Sequence, residues 1–470
     1  MASSEVSAPL KARNAPDPVA TITANGWLAE FRGVWRLLYP MLVSTLASYC
    51  LNLFDYHWIR HLGAADLALL ALMNGSVMSF MFLLSKSFEE SFVALFARAA
   101  PLQQGVLLQQ ALWLALCIGA GVVGLLLWAQ VPLVHFLSGG VLSGRHAGLF
   151  YTVMVATFAL TLVNTVLSAA LRVYGDAKTP ARISVSCGVL NNLLDPLMIF
   201  GVFGHAPAWQ IFGLAAASWG ARVTYLLLSS VSLRKRLRRE QVCWPRLRPV
   251  WPLQQRLLRL FVPSALLEAL TFCASVMVYA AIATYGVQVI GGYGVGFELL
   301  VVGFILVKGL SMVFMIRLGH RLRQGLDLHT CARSVLVLGT IFVILISAGY
   351  FGLRGWVLPF LVSDPAASAI ALAWLNYAPI FIASYLLSNL VTGCCQLLER
   401  PAWALWLGLF FSWVVNLGAV SALVQARRPV AEVFATMASI SAARALLYLV
   451  IFPWLVRRLA ARANGMPLLN

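Results

Sequence analysis

The sequence predicts an all-α polytopic membrane protein of twelve transmembrane helices, folded as two pseudo-symmetric six-helix bundles. Three observations predict it: 61% of the 470 residues are hydrophobic and only 11% charged, uncharged stretches recur at bilayer-spanning length, and the two halves repeat each other. Soluble domains carry roughly a quarter charged residues, so this composition leaves too much apolar surface to hide from water.

The spanning element follows from backbone chemistry. Between Arg145 and Arg172, and again between Arg333 and Arg354, the chain holds no charge, and each stretch reaches the ~20 residues that cross ~30 Å of hydrocarbon as helix. In lipid, peptide groups must be satisfied within the segment, so the spans are helices. Pro, Gly and charge punctuation gives twelve, starting near residues 34, 64, 107, 147, 180, 211, 257, 289, 332, 366, 401 and 430.

Charge fixes the expected orientation. With the N-terminus inside, the outer segments hold only Arg60, Arg145, Arg354, Arg427 and Arg428. Four bases lie within spans, and the other 25 of the 34 Lys and Arg fall inside. This bias predicts a multi-pass protein of the inner (plasma) membrane with both termini cytoplasmic. The net charge of +18 is then an orientation signal, and the basic run Arg234 to Arg248 reads as a cytosolic loop beside anionic lipid and not as a nucleic-acid site. The first 30 residues lack the apolar core of a signal peptide. The expected organisation is a cytosolic tail (1–30), an N-lobe (31–232), a basic linker (233–256), a C-lobe (257–458) and a second tail (459–470). Eight cysteines, Cys394 and Cys395 adjacent, show no CxxC spacing, and neither disulfide nor metal is read from them.

The repeat is the most informative feature. Arg36 to Pro40 parallels Arg259 to Pro263 at an offset of 223; Gly63 pairs with Gly286 at 223, Lys86 with Lys308 at 222, and Pro180 with Pro401 at 221. Six spans per half make both halves enter from one side, related by an axis along the membrane normal. Two such bundles enclose a central cleft that rocking opens to either face, so transport is the expected function and no catalytic residues are expected.

Charge within hydrocarbon costs several kcal/mol and marks a cavity or a partner. Asp55 and Asp195 form the sharpest pair: each lies fifteen residues after a helix-entry proline, Pro40 or Pro180, hence ~22 Å along its helix at matching depth. Asn191 is one turn before Asp195 on the same face. Together they suit a shared proton or Na⁺ site, though two acids bonded for helix packing fit the same depth. Their repeat equivalents are Val278 and Asn416, so the acids belong to one lobe. Lys86, Glu89 and Glu90, at i, i+3 and i+4, are expected as an intrahelical ion pair lining the cleft. Lys308 repeats Lys86, and two ammonium groups there would hold a substrate carboxylate or phosphate unless Glu268 and Glu298 neutralise Lys308. Arg222 and Arg444 are expected to snorkel to the headgroups. His57 and His61, at i, i+4, suit a metal or a proton relay, but with no third ligand in view they are taken as interface histidines.

Several of these segments resemble the multidrug and toxic compound extrusion (MATE) family. Ala170-Leu-Arg-Val-Tyr-Gly-Asp-Ala-Lys-Thr-Pro180, running on to Asn191-Asn-Leu-Leu-Asp195-Pro and Ile199-Phe-Gly201, is similar to that family's L-R-x-x-G-D-x-K-T-P, N-x-x-x-D-P and I-F-G segments between its fourth and fifth helices. Phe54-Asp55 with His61-Leu-Gly63, Gly213-Leu-Ala-Ala-Ala-Ser218, and Pro263-Ser-Ala-Leu-Leu-Glu268 resemble its first, sixth and seventh helices. The resemblance implies a V-shaped pair of lobes, a cation or proton site of Asp55, Asn191, Asp195 and Ser218, and an acidic site at Glu268. It also implies efflux of small organic compounds driven by H⁺ or Na⁺, without a cofactor. Two departures stand out. Ile382 to Gln396 holds no Asp or Glu where the family's tenth helix has an acid, and Lys86 and Lys308 are additions. The expected activity is therefore proton-coupled export, by a monomer, of a zwitterionic or partly anionic compound. The alternative is a flippase for lipid-linked oligosaccharides, but a pyrophosphate headgroup needs clustered bases, and here six acids within spans outnumber four bases. A membrane enzyme lacks the converging His and acid set or the extramembrane loop such chemistry uses.

Overall fold

The computed structural model describes residues 27–59, 61–62, 69–70, 73–133, 145–201, 209–239, 249–361 and 365–465. Among them there is helix and no strand. Twelve rods follow in order: α1 (Trp27–Ile59), α2 (a π turn Asn74–Met78 continuing as Ser79–Phe96), α3 (Pro101–Trp128), α4 (Arg145–Val173), α5 (Lys178–Phe200) and α6 (Ile211–Arg239). The second half contains α7 (Trp251–Ala283), α8 (Val287–Gln324), α9 (Leu328–Leu361), α10 (Pro365–Leu375 and Ala378–Leu397), α11 (Pro401–Gln425, with a π segment Phe410–Leu417) and α12 (Val430–Gly465). Ten helices among the described residues are long and apolar enough to span a membrane. The expected starts match these rods to within about ten residues, the largest gap falling at α2, where parts of 60–72 lie outside the described residues. So do Gly63, most of the N-terminal tail and the linker residues 240–248; α6 runs on to Arg239 and α7 begins at Trp251.

The packing has the symmetry of the repeat. In the first half α4 packs on α3 and α6, α5 on α1 and α6, and α2 on α4. In the second, α10 packs on α9 and α12, α11 on α7, and α8 on α10. The halves join where α1 meets α8 and α2 meets α7, contacts that exchange under a two-fold operation. Pro40 and Pro263 occupy matching places inside α1 and α7, while Pro401 starts α11 as a first-turn proline, where its missing N–H costs nothing. The repeat offset drops by one between Gly63 and Lys86. That matches the one extra residue per turn a π turn takes up, and the π turn of α2 has no counterpart in the continuous α8.

One end of the molecule is basic. It gathers the turns after α2, α4, α8 and α10, and there the halves are cross-linked. Arg98 donates to the carbonyl of Leu397 (2.8 Å) and pairs with Glu399. Arg256 makes two bonds to the same carboxylate (2.9 and 2.5 Å). His320 bonds the carbonyl of Val173 (2.8 Å), and Arg323 donates to that of Ala99 (3.3 Å). Deeper in, Phe88 meets Phe261 edge-on at 5.4 Å. Gly319 lies against Ala97 so closely that a Cβ there would stand 2.7 Å from the alanine's. Glu399 sits in the left-handed region at φ 56°, which costs roughly 1–2 kcal/mol for a residue with a side chain, and its three guanidinium bonds hold it there.

Candidate functional site

Two polar centres lie inside the helices. The first belongs to α1, α5 and α6. Asp55 and Asp195 face each other within hydrogen-bonding range, and Asn191 donates its amide to Asp195 Oδ2 at 3.1 Å. Asp195 is fully buried, and Oδ1 of each aspartate has no hydrogen-bond partner among the described residues. Buried polar atoms are rarely left so. The arrangement follows from local sequence: Asp195 precedes Pro196 within α5, and Asn191 lies one turn before it. Arg222 of α6 contributes positive charge to Asp55. Contrary to the snorkelling expectation, it stays inside, donating to Thr161 Oγ1 at 2.7 Å while its carbonyl accepts from Asn164 at 3.0 Å. Arg444 behaves likewise, donating from Nε to Ser384 at 2.9 Å. Neither hydroxyl partner carries a charge signal in the sequence, so hydropathy reading misses both. Ser218 stands one turn before Arg222 on α6, part-buried.

The second centre lies nearer the basic end, where α2, α4, α7, α8 and α10 converge. Lys86 bonds Glu89 at 2.8 Å, as its spacing predicts, and Arg172 of α4 pairs with the other oxygen of Glu89. Glu90 does not share that pair: one residue on, it faces Lys308 of α8 at 3.4 Å and Gln396 of α10 at 3.4 Å. Lys308 also bonds Glu268 of α7 at 3.0 Å. Glu298 takes no part; it is exposed, ten residues before Lys308 on α8, hence ~15 Å away along the axis. So the two lysines read as cations for a substrate are both engaged by acids, Glu268 acting as the neutraliser and Glu298 not. Gln396, fully buried, also donates to Ser264 at 3.1 Å. Glu90 and Lys308 line a small cavity with Ser311, Met312, Met315 and Asn389.

Arg172, Arg222 and Gln396 are the partners that sequence reasoning missed as site residues. Arg172 had one signal, its place in the Leu-Arg-Val-Tyr-Gly-Asp motif. The rest of that motif builds the turn: Gly175 takes φ 82°, and Asp176 caps α5 by accepting from the backbone N–H (3.0 Å) and hydroxyl (2.7 Å) of Thr179. At the opposite end His61 donates from Nδ1 to the carbonyl of His57 at 2.9 Å. No group of three metal-binding side chains occurs among the described residues.

Comparison with known proteins places these centres in a lineage. The MatE family matches residues 40–197, which hold both aspartates and Lys86, Glu89 and Glu90. A probable multidrug resistance protein NorM from Acinetobacter baylyi is 25% identical over 412 residues, covering 83% of this chain and 88% of the relative. Over residues 40–197 the chain resembles the MATE family. An FAD transporter from Shewanella oneidensis is 29% identical over 177 residues, 37% of this chain and 38% of that one. Among solved structures, a variant of a Vibrio cholerae MATE transporter superposes with a TM-score of 0.81 at 16% identity, over 93% of this chain and 99% of that chain. The twelve-helix, two-bundle architecture is thus that of MATE transporters, a family of multidrug and toxic compound efflux proteins embedded in membranes, and a transporter family and not an enzyme family.

Proposed function

We propose that this chain is a MATE-type secondary active exporter of small organic compounds, working as a monomer by alternating access in the plasma membrane, with both termini cytoplasmic, in exchange for protons. The observation that carries the reading is the Asp55–Asp195 pair: two carboxyl groups in contact inside one bundle, each with an oxygen left unbonded. One shared proton relieves the repulsion of such a pair and supplies the missing donor. A direct carboxyl–carboxyl contact is met by one proton between the two groups, so H⁺ is preferred. The basic end, where the halves are bonded together, is the cytoplasmic face under the positive-inside bias.

The substrate reading is a zwitterionic or partly anionic compound. The second centre balances Lys86, Arg172 and Lys308 against Glu89, Glu90 and Glu268, so it offers donors and acceptors of both signs. The likeness to an FAD transporter, FAD being an anionic dinucleotide, supports that class. The flippase alternative is disfavoured because Lys86 and Lys308 are already paired and present no cationic cluster to a pyrophosphate.

Export from proteoliposomes under imposed H⁺ or Na⁺ gradients, with cationic, zwitterionic and anionic probes, tests this reading. An inside-acid or inside-alkaline gradient should change the export rate several-fold while Na⁺ changes nothing, and Asp55→Asn should lose the pH response. Undiminished pH-dependent transport in that variant would overturn the coupling role.

A further inference from the structure

The two glutamates of α2 are neighbours in sequence but differ in where their partners live. Glu89 is served within the first half, by Lys86 and Arg172. Both partners of Glu90, Lys308 and Gln396, come from the second half. Lys308 in turn has a carboxylate of its own half, Glu268, at the shorter distance of 3.0 Å. Two carboxylates thus share one ammonium across the junction of the halves, one from each side.

Consider the halves parting at the basic end. Lys308 and Glu268 leave together, on α8 and α7. Glu90 leaves on α2 with no cation released to it, because Lys86 and Arg172 are committed to Glu89. Glu90 would then stand next to the carboxylate of Glu89 with its own counter-charge gone, and both the lost cation and the like-charged neighbour favour taking up a proton. Among the described residues, the groups facing Glu90 are Glu89 on its own helix, Glu268 on α7, Lys308 on α8, and Gln396 and Tyr385 on α10, with Lys86 and Arg172 beyond them on Glu89; its bonds are to Lys308 and Gln396.

We propose that Glu90 is a second proton-carrying residue, ionised while Lys308 faces it and protonated when the halves separate at the basic end. It would act as the latch through which pH reaches the cytoplasmic junction. This deepens the proton-exchange reading and rests on it for the direction of the cycle. The latch itself is a property of the two halves and does not depend on which ion drives export.

Amide hydrogen exchange of the full-length protein in detergent, without substrate or gradient, tests it. The readout is protection of the junction segments 97–100 and 397–400, corrected for the intrinsic pH dependence of exchange. In the wild type, protection should fall at least three-fold from pH 8 to pH 6. In Glu90→Gln, which mimics the protonated state at the same volume, it should already be low at pH 8 and stay flat. Lys308→Gln should shift the wild-type transition to higher pH, and the double variant should match Glu90→Gln alone. Wild-type protection and an unchanged pH response in Glu90→Gln would overturn the proposal. Gel filtration of each variant separates misfolding from release. Should export prove independent of a pH gradient, the proposed coupling fails while the exchange data still decide the latch.

Discussion

Removing the charge of Glu399 should weaken the basic-end junction by a measurable amount. Burial pushes this carboxyl up, but the bonds from Arg256 and the charges of Arg98 and Arg256 more than offset that and hold it at about 2, against an ordinary 4.5. A depression of that size corresponds to about 3 kcal/mol of preferential stabilisation of the ionised form in the folded protein. Because the folded value lies below the unfolded one, the contribution is complete above pH ~4.5 and drains away as pH falls towards 2. Glu399→Gln keeps the shape and one acceptor but removes the charge shared by the two arginines. At pH 7 it should lose about 2–3 kcal/mol, a fall of a few degrees in melting temperature for a chain of this size. Thermal unfolding of both proteins in detergent, followed by intrinsic fluorescence between pH 4 and pH 8, reads this directly. A variant that melts with the wild type throughout that range would refute the argument that the Arg98–Glu399–Arg256 cluster holds the halves together.

Three further outcomes follow from the same geometry. Glu89→Gln leaves Lys86 and Arg172 without their shared carboxylate, and should cost roughly 2–4 kcal/mol, seen as a loss of monodisperse protein after heating. Gly319→Val drives a whole isopropyl group into Ala97 and should cost about 1–3 kcal/mol as overpacking; it should raise hydrogen exchange at 97–100 without altering the α5–α6 region. Asp327 caps α9 by accepting from the backbone N–H groups of His329 and Thr330, both at 3.0 Å. The hydroxyl of Thr330 holds its carboxyl below the usual range. Asp327→Ala should therefore cost about 1 kcal/mol at neutral pH, with the difference from wild type vanishing as acid protonates the cap.

Depth in the membrane was legible in the sequence and azimuth was not. Counting residues from Pro40 and Pro180 puts Asp55 and Asp195 at one level, and the structure brings them into contact, because α1 and α5 run side by side in the same direction. The same counting finds the Lys86–Glu89 pair, whose partners share one helix. It does not find that Glu90 faces Lys308, since that depends on how α2 is turned against α8, nor that Arg222 and Arg444 remain inside, since their partners Thr161, Asn164 and Ser384 are ordinary helix residues until packing aligns them. Glu298 illustrates the converse: an acid on the right helix, nearly three turns from the group it was expected to neutralise. What one helix decides alone can be read from residue order; what two helices decide together needs their packing.

The wide turn at Asn74–Met78 has a consequence for how such duplicated proteins tolerate change. An extra residue in an ordinary α-helix swings everything beyond it by ~100° about the axis, enough to carry Glu89 away from Arg172 and Glu90 off the seam where it meets Lys308 of the other half. Five residues wound more loosely swallow that insertion, so the remainder of the rod keeps its heading and the ancestral pairing of the two lysine positions survives. Length and facing are thereby uncoupled, and one copy of the repeat can gain a residue without its counterpart having to follow.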